Sequence, residues 1–245
     1  MRHIIATETA DQWKKQMKMK EQLEDEFNLF CEKVNDAFCI VEKPNTIIWT
    51  PAKHVMNTFS TVPVPAFTRE NQIYLTGDLS EWSSYFLQLL TKPPQTNVKQ
   101  YFERFNRKSL LTIVGHEWMH HSNLFVDDFD DGREDEIWFE EGMCDYIARK
   151  CLLTEAEFEE VVDVEQTLVH QYAEEFPFFT IDQFGQTTYA ESTTKVMYAY
   201  WKSFLAIKDI LESGNYLHIL DVFNRYQDWH KQGRAGKLFD YLMAK

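Results

Sequence analysis

His116-Glu117-Trp118-Met119-His120 places two histidines four residues apart with a glutamate between them. On a helix, that spacing puts both imidazoles on one face, where they can reach a single tetrahedral ion. The glutamate lies beside that face. It is set to take a proton from metal-bound water rather than to ligate. Such a pentapeptide also arises by accident, and a helix carrying two unrelated histidines is the bland alternative.

A second segment, Trp138-Phe139-Glu140-Glu141-Gly142-Met143-Cys144-Asp145-Tyr146, follows shortly downstream. Glu141 and Asp145 are again four apart on one helical face. A carboxylate completes a His2Glu site and leaves a fourth position for water. Asp145 can then accept the remaining N–H of a ligating histidine and set its tautomer. Glu140 competes with Glu141 as the ligand; the spacing to Asp145 and the glycine after Glu141 favour Glu141. Gly142 removes a side chain where two helices approach.

Together, HExxH and the later Trp138-x-x-Glu141-Gly142-x-x-x-Tyr146 resemble the core of the gluzincin metallopeptidases. The glutamate before glycine resembles the third zinc ligand of the aminopeptidase-N type. The Glu141-x-x-x-Asp145 spacing is similar to that of the thermolysin-like branch, in which the aspartate orients a histidine. The resemblance covers His116 to Tyr146. It implies one Zn2+ held by His116, His120 and Glu141, with Glu117 as general base.

In such enzymes a tyrosine or histidine of the C-terminal lobe steadies the oxyanion. The segment from Tyr189 resembles that position, with Tyr198, Tyr200 and His170 as competitors. A sheet edge strand that pairs with substrate is also implied, for which Ile73-Tyr74-Leu75 is the candidate. The pattern has departures. The aminopeptidase G-x-M-E-N segment is absent, which favours an endopeptidase. The longer HExxHxxGxxH motif fails at Asn123 and Val126.

The elements that must hold these residues are legible in outline. A helix is predicted from about Thr9 to Val41, with Trp13, Met17, Leu23, Phe27, Phe30, Val34 and Phe38 at helical spacing. Asn45 to Trp49 reads as a short strand and Lys53 to Phe59 as a short helix. Val62–Phe67 and Gln72–Thr76 read as two strands around a turn at 68–71. A helix through Leu90 begins near Ser80, and another is placed near Tyr101 to Arg107. Ser109 is the expected cap of the HExxH helix, which runs to about Asn123. Helices are expected at Trp138–Leu153, from Thr154 with a capping box, and at Tyr189–Glu212 and Tyr216–Lys231.

The fold class expected is α+β and zincin-like. A small mixed sheet and the active-site helix form an N-terminal lobe over 1–125, and an all-helical C-terminal lobe covers 126–245. The acidic run Asp127 to Glu136 fails as an EF-hand loop, because Phe129 and Trp138 fall where oxygen ligands belong. It reads as a solvated loop that can rim the cleft and favour basic substrates.

The 245-residue chain carries a formal net charge of −14 and 44% hydrophobic residues. Those values suit a packed core and disfavour nucleic acid and anionic lipid as partners. Cys31, Cys39, Cys144 and Cys151 form no CxxC pair and read as packing thiols. The short apolar start and the lack of a long apolar run predict a cytoplasmic protein. The expected activity is hydrolysis of a peptide or protein substrate. The alternative is a catalytically silent zinc module that binds or regulates other proteins.

Overall fold

The structure is a computed structural model that describes residues 1–60, 64–127, 133 and 135–244. It is a mixed α/β protein, with four short strands among the described residues and mostly helix. The sheet has the order β1-β2-β4-β3. β1 (Arg2–Ile5), β2 (Thr46–Trp49) and β4 (Gln72–Leu75) run parallel, while β3 (Ala66–Arg69) is antiparallel to β4. Arg69 faces Gln72 in the register, so the hairpin turn is only Glu70 and Asn71, and Glu70 takes φ 47°.

The crossover between β1 and β2 is the long helix α1 (Ala10–Ala37). Its start is set by a reciprocal cap: Gln12 N donates to Thr9 Oγ1 at 3.2 Å and Thr9 N to Gln12 Oε1 at 3.2 Å. Its inner stripe of Met19, Leu23, Phe27, Phe30 and Val34 recurs at three- and four-residue steps and packs under the sheet. β2 is buried at all four positions, as a strand covered on both faces must be. Ala52–His54 (α2) continues into a single π-turn, Val55–Phe59.

After α3 (Leu79–Gln88) and α4 (Thr96–Glu103) come α5 (Arg107–Met119), α6 (Ile137–Leu152), α7 (Glu155–Tyr172) and α8 (Thr193–Glu212). Two further helices follow, α9 (Ile219–Lys231) and α10 (Leu238–Met243). α6 is sandwiched between α5 and α8. Two glycines permit those crossings. A Cβ at Gly115 would lie 3.2 Å from both Ala148 Cβ and Phe30 Cζ, and one at Gly142 would lie 2.5 Å from the Ser203 carbonyl oxygen. The main hydrophobic cluster runs from Met19 on α1 to Leu242 on α10, so both halves of the chain share a core.

Several boundaries differ from the sequence reading. The HExxH helix is capped by Asn106, whose Oδ1 accepts from Lys108 N at 2.8 Å, and Ser109 is the third helical residue of that capping box. α4 begins earlier than expected, α8 starts only after Ser192, and β1 and α10 were not foreseen. The expected acidic loop lies largely outside the described residues.

Candidate metal centre

His116 and His120 sit at the end of α5, at the last turn of that helix and its C-cap. Their rings converge: the two Nε2 atoms are 3.1 Å apart. Glu141, on α6, brings Oε2 to 3.1 Å from His116 Nε2 and 3.5 Å from His120 Nε2. An ion bound tetrahedrally at about 2.0–2.1 Å requires ligand atoms about 3.3–3.4 Å apart. The three donor atoms therefore already have the spacing of three corners of such a shell, and they form a group that can hold a metal ion.

The second oxygen of Glu141 is held elsewhere. Tyr189 Oη donates to Glu141 Oε1 at 2.7 Å and Tyr200 Oη does so at 3.0 Å. Oε2 is buried and faces only the two imidazole Nε2 atoms, with no hydrogen bond of good geometry. A buried carboxylate oxygen without a donor is costly unless a cation meets it. This orphaned acceptor between two imidazoles is the observation that fits a metal.

The outer nitrogens of both histidines are also held. His116 Nδ1 lies 3.2 Å from Asp145 Oδ1, and His120 Nδ1 lies 2.6 Å from Glu140 Oε1. Each pairing presents Nε2 inward. The carboxylates are anchored in turn: Asp145 Oδ2 meets Arg149 Nη2 at 3.1 Å, and Glu140 Oε2 meets the Arg133 guanidinium.

Burial and neighbouring charges pull in opposite directions in this cluster. Burial opposes charge on His116, but Asp145 and Glu141 outweigh it and raise its pKa to about 9. Burial likewise opposes ionisation of Glu141, and the His120 and His116 imidazoles hold its carboxyl well below the usual range. Glu117 is buried and shifts the other way: desolvation raises its pKa above that of an ordinary glutamate. That direction suits a group that must accept and then release a proton near neutral pH.

Glu117 and His116 line a cavity of about 130 Å3 that runs from the cluster between α3, α4, α6, α7 and α8. Its walls are largely aromatic.

The structure brings His116, His120, Glu141, Asp145 and Glu117 together. One other expectation is corrected. Ile73-Tyr74-Leu75 cannot pair with a substrate strand, because β4 lies between β2 and β3 and both its edges are occupied. Among the described residues, the strand with an unpaired edge beside α5 is β3, and Ala66 at its start lines the cavity. Tyr189 reaches the cluster, where its hydroxyl donates to Glu141 Oε1 at 2.7 Å and lies 3.1 Å from Tyr200 Oη. His121 is buried, with Nε2 2.8 Å from Thr68 Oγ1 of β3.

Of the other residues named, Tyr200 joins the cluster, whereas Tyr198 packs against Phe176 and His170 is exposed on α7. Tyr146 packs edge-on against Phe158. Sequence reasoning treated Glu140 only as a rival ligand and missed its role on His120. Arg149 and Glu165 in the cavity carried no local signal. The cysteines form no disulfide; burial pushes the Cys144 thiol up to about 12, and that thiol hydrogen-bonds the His120 imidazole.

No family model, curated protein or solved structure matches this chain. Among the described residues no helix is long and apolar enough to cross a membrane.

Proposed function

We propose that this protein is a zinc-dependent peptide-bond hydrolase of gluzincin-like, zincin-type design, acting as an endopeptidase. The observation that carries the reading is the meeting of His116, His120 and Glu141 at metal-ligand spacing beside the buried Glu117. Two imidazoles and one carboxylate, each with its outer atoms held, form a donor set suited to zinc.

Zinc, when bound, supplies Lewis-acid polarisation of the scissile carbonyl and of the attacking water. The protein's own residues supply the rest. Glu117 accepts the water proton and passes it to the leaving amine. Its raised pKa makes it a better base for the first transfer, and protonated it is a usable acid for the second. Asp145 and Glu140 hold the imidazoles in one tautomer, while Tyr189 and Tyr200 hold Glu141. The free edge of β3 offers backbone groups to an extended peptide, and the adjoining cavity takes a side chain.

The retained glutamate favours this reading over a silent binding module, which has no chemical need for it. The test is digestion of a mixed peptide library by the zinc-loaded protein and by Glu117→Gln. Cleavage at internal bonds that drops by at least about a thousandfold in the variant, with zinc retained, supports the reading. Unchanged cleavage in Glu117→Gln contradicts it.

A further inference from the structure

The cavity beside the metal-ligand cluster is lined by both aromatic and charged residues. Its walls are aromatic, with Trp82, Phe86, Phe102, Phe105 and Trp201 among them. α6 and α7 contribute Arg149 and Glu165 to the lining. Arg149 lies between two acids, with Nη2 3.1 Å from Asp145 Oδ2 and Nη1 2.8 Å from Glu165 Oε1. One guanidinium thus serves two carboxylates, and Asp145 also serves His116. Asp145, Arg149 and Glu165 so form a chain of ion pairs ending at Glu165, whose carboxyl is raised to about 8 by burial.

Arg149 reaches one oxygen of Glu165, and a cation beside the other would favour the ionised carboxylate. Only 6% of Glu165 is exposed, and its Oε2 has no hydrogen-bond partner. Tyr85 Oη, in the same cavity, is also buried and unpartnered. Unpaired acceptors behind aromatic walls are expensive to maintain without an occupant that supplies donors. The volume, about 130 Å3, is close to the roughly 150 Å3 that holds one benzene-sized group. It suits a single side chain.

We propose that this cavity recognises a basic side chain of the substrate, its apolar stem lying against the aromatic walls and its cationic head meeting Glu165. An ammonium or guanidinium is donor-only, and so answers both Glu165 Oε2 and Tyr85 Oη. Aromatic faces accept the cation on its way in. The net charge of −14 draws basic peptides toward the protein. A neutral aliphatic or aromatic side chain would fill the volume but leave the buried acceptors unmet, and an acidic one would add like charge. The assignment rests on the hydrolase reading, because it makes the cavity a substrate subsite.

Two measurements separate the two claims. The first profiles bonds cleaved in a mixed peptide library by wild type, Glu165→Gln and Glu165→Leu. The expected profile has lysine or arginine at one fixed position beside the cleaved bond, and at least a tenfold loss of that preference in Glu165→Leu. Cleavage with no basic preference in wild type, or a preference that survives Glu165→Leu, overturns the pocket assignment and leaves the hydrolase reading standing.

The second is calorimetric binding of n-butylammonium and n-butanol to wild type and Glu165→Leu, which needs no turnover. Tighter binding of the ammonium by tenfold or more in wild type, lost in the variant, supports the pocket even if no peptide is cleaved. Equal binding of the two probes by wild type overturns it.

Discussion

Glu140 and Glu141 are neighbours in sequence, yet they bracket the same imidazole from opposite sides. Glu140 Oε1 is 2.6 Å from His120 Nδ1, and Glu141 Oε2 is 3.5 Å from His120 Nε2. Consecutive residues on a helix point about 100° apart, so adjacent carboxylates ordinarily serve different surroundings. Here the His120 ring spans the gap between them. One acid orients the ring and the other shares its metal position.

Glu140→Gln is expected to weaken zinc binding by about 10–100-fold, because an amide is a poorer acceptor for the His120 N–H. Asp145→Asn should act similarly through His116. Competition titration against a chelator reads both. Affinity unchanged in Glu140→Gln would mean that the contact does not set the ring.

Tyr189 and Tyr200 both donate to Glu141 Oε1. Each single Phe variant should therefore lower zinc affinity modestly, and the double variant by more than the two effects combined, because only then is the oxygen left without a donor. If Tyr189→Phe instead lowers kcat at unchanged zinc affinity, that tyrosine acts on the oxyanion and not on the ligand.

Gly142→Ala should destabilise the fold by about 3 kcal/mol or more, seen as a large drop in Tm. A Cβ there would meet the Ser203 carbonyl oxygen at 2.5 Å, and backbone cannot step aside as a side chain tip can. Gly115→Ala should cost less, since the nearest atoms are side chains at 3.1–3.2 Å.

Glu136 gives a pH dependence away from the metal. It accepts from Trp138 Nε1 and from Leu238 N, tying the start of α6 to the start of α10. Burial nevertheless outweighs these bonds and raises its carboxyl from 4.5 to about 7. The folded state thus holds its proton more tightly than the unfolded state, and stability falls as pH rises from about 4.5 to 7. Glu136→Gln should remove on the order of 1–2 kcal/mol of that fall, measured by denaturant unfolding at pH 5 and pH 8. Identical pH slopes in the two proteins would contradict this.

The parts of the centre written in local spacing were readable from sequence. The four-residue steps His116–His120 and Glu141–Asp145 need only a helix to become shared faces. The capping box at Thr154 is equally local. What was not readable depends on distant partners. β1 is four residues that become a strand only by pairing with β2, and no local feature says that β4 is interior and β3 the edge. Glu140 differs from Glu141 only by rotation about the helix axis. Arg149 and Glu165 meet because α6 and α7 pack side by side, a juxtaposition absent from either segment alone.

The most direct test of the central claim is the metal content of purified protein after zinc loading and exhaustive dialysis, compared with Glu141→Ala and a His116→Ala/His120→Ala double variant. The geometry predicts close to one zinc per chain for wild type, sharply weakened binding in Glu141→Ala and none in the double variant. No zinc in folded wild type, or equal zinc in all three proteins, would contradict a centre built from these residues.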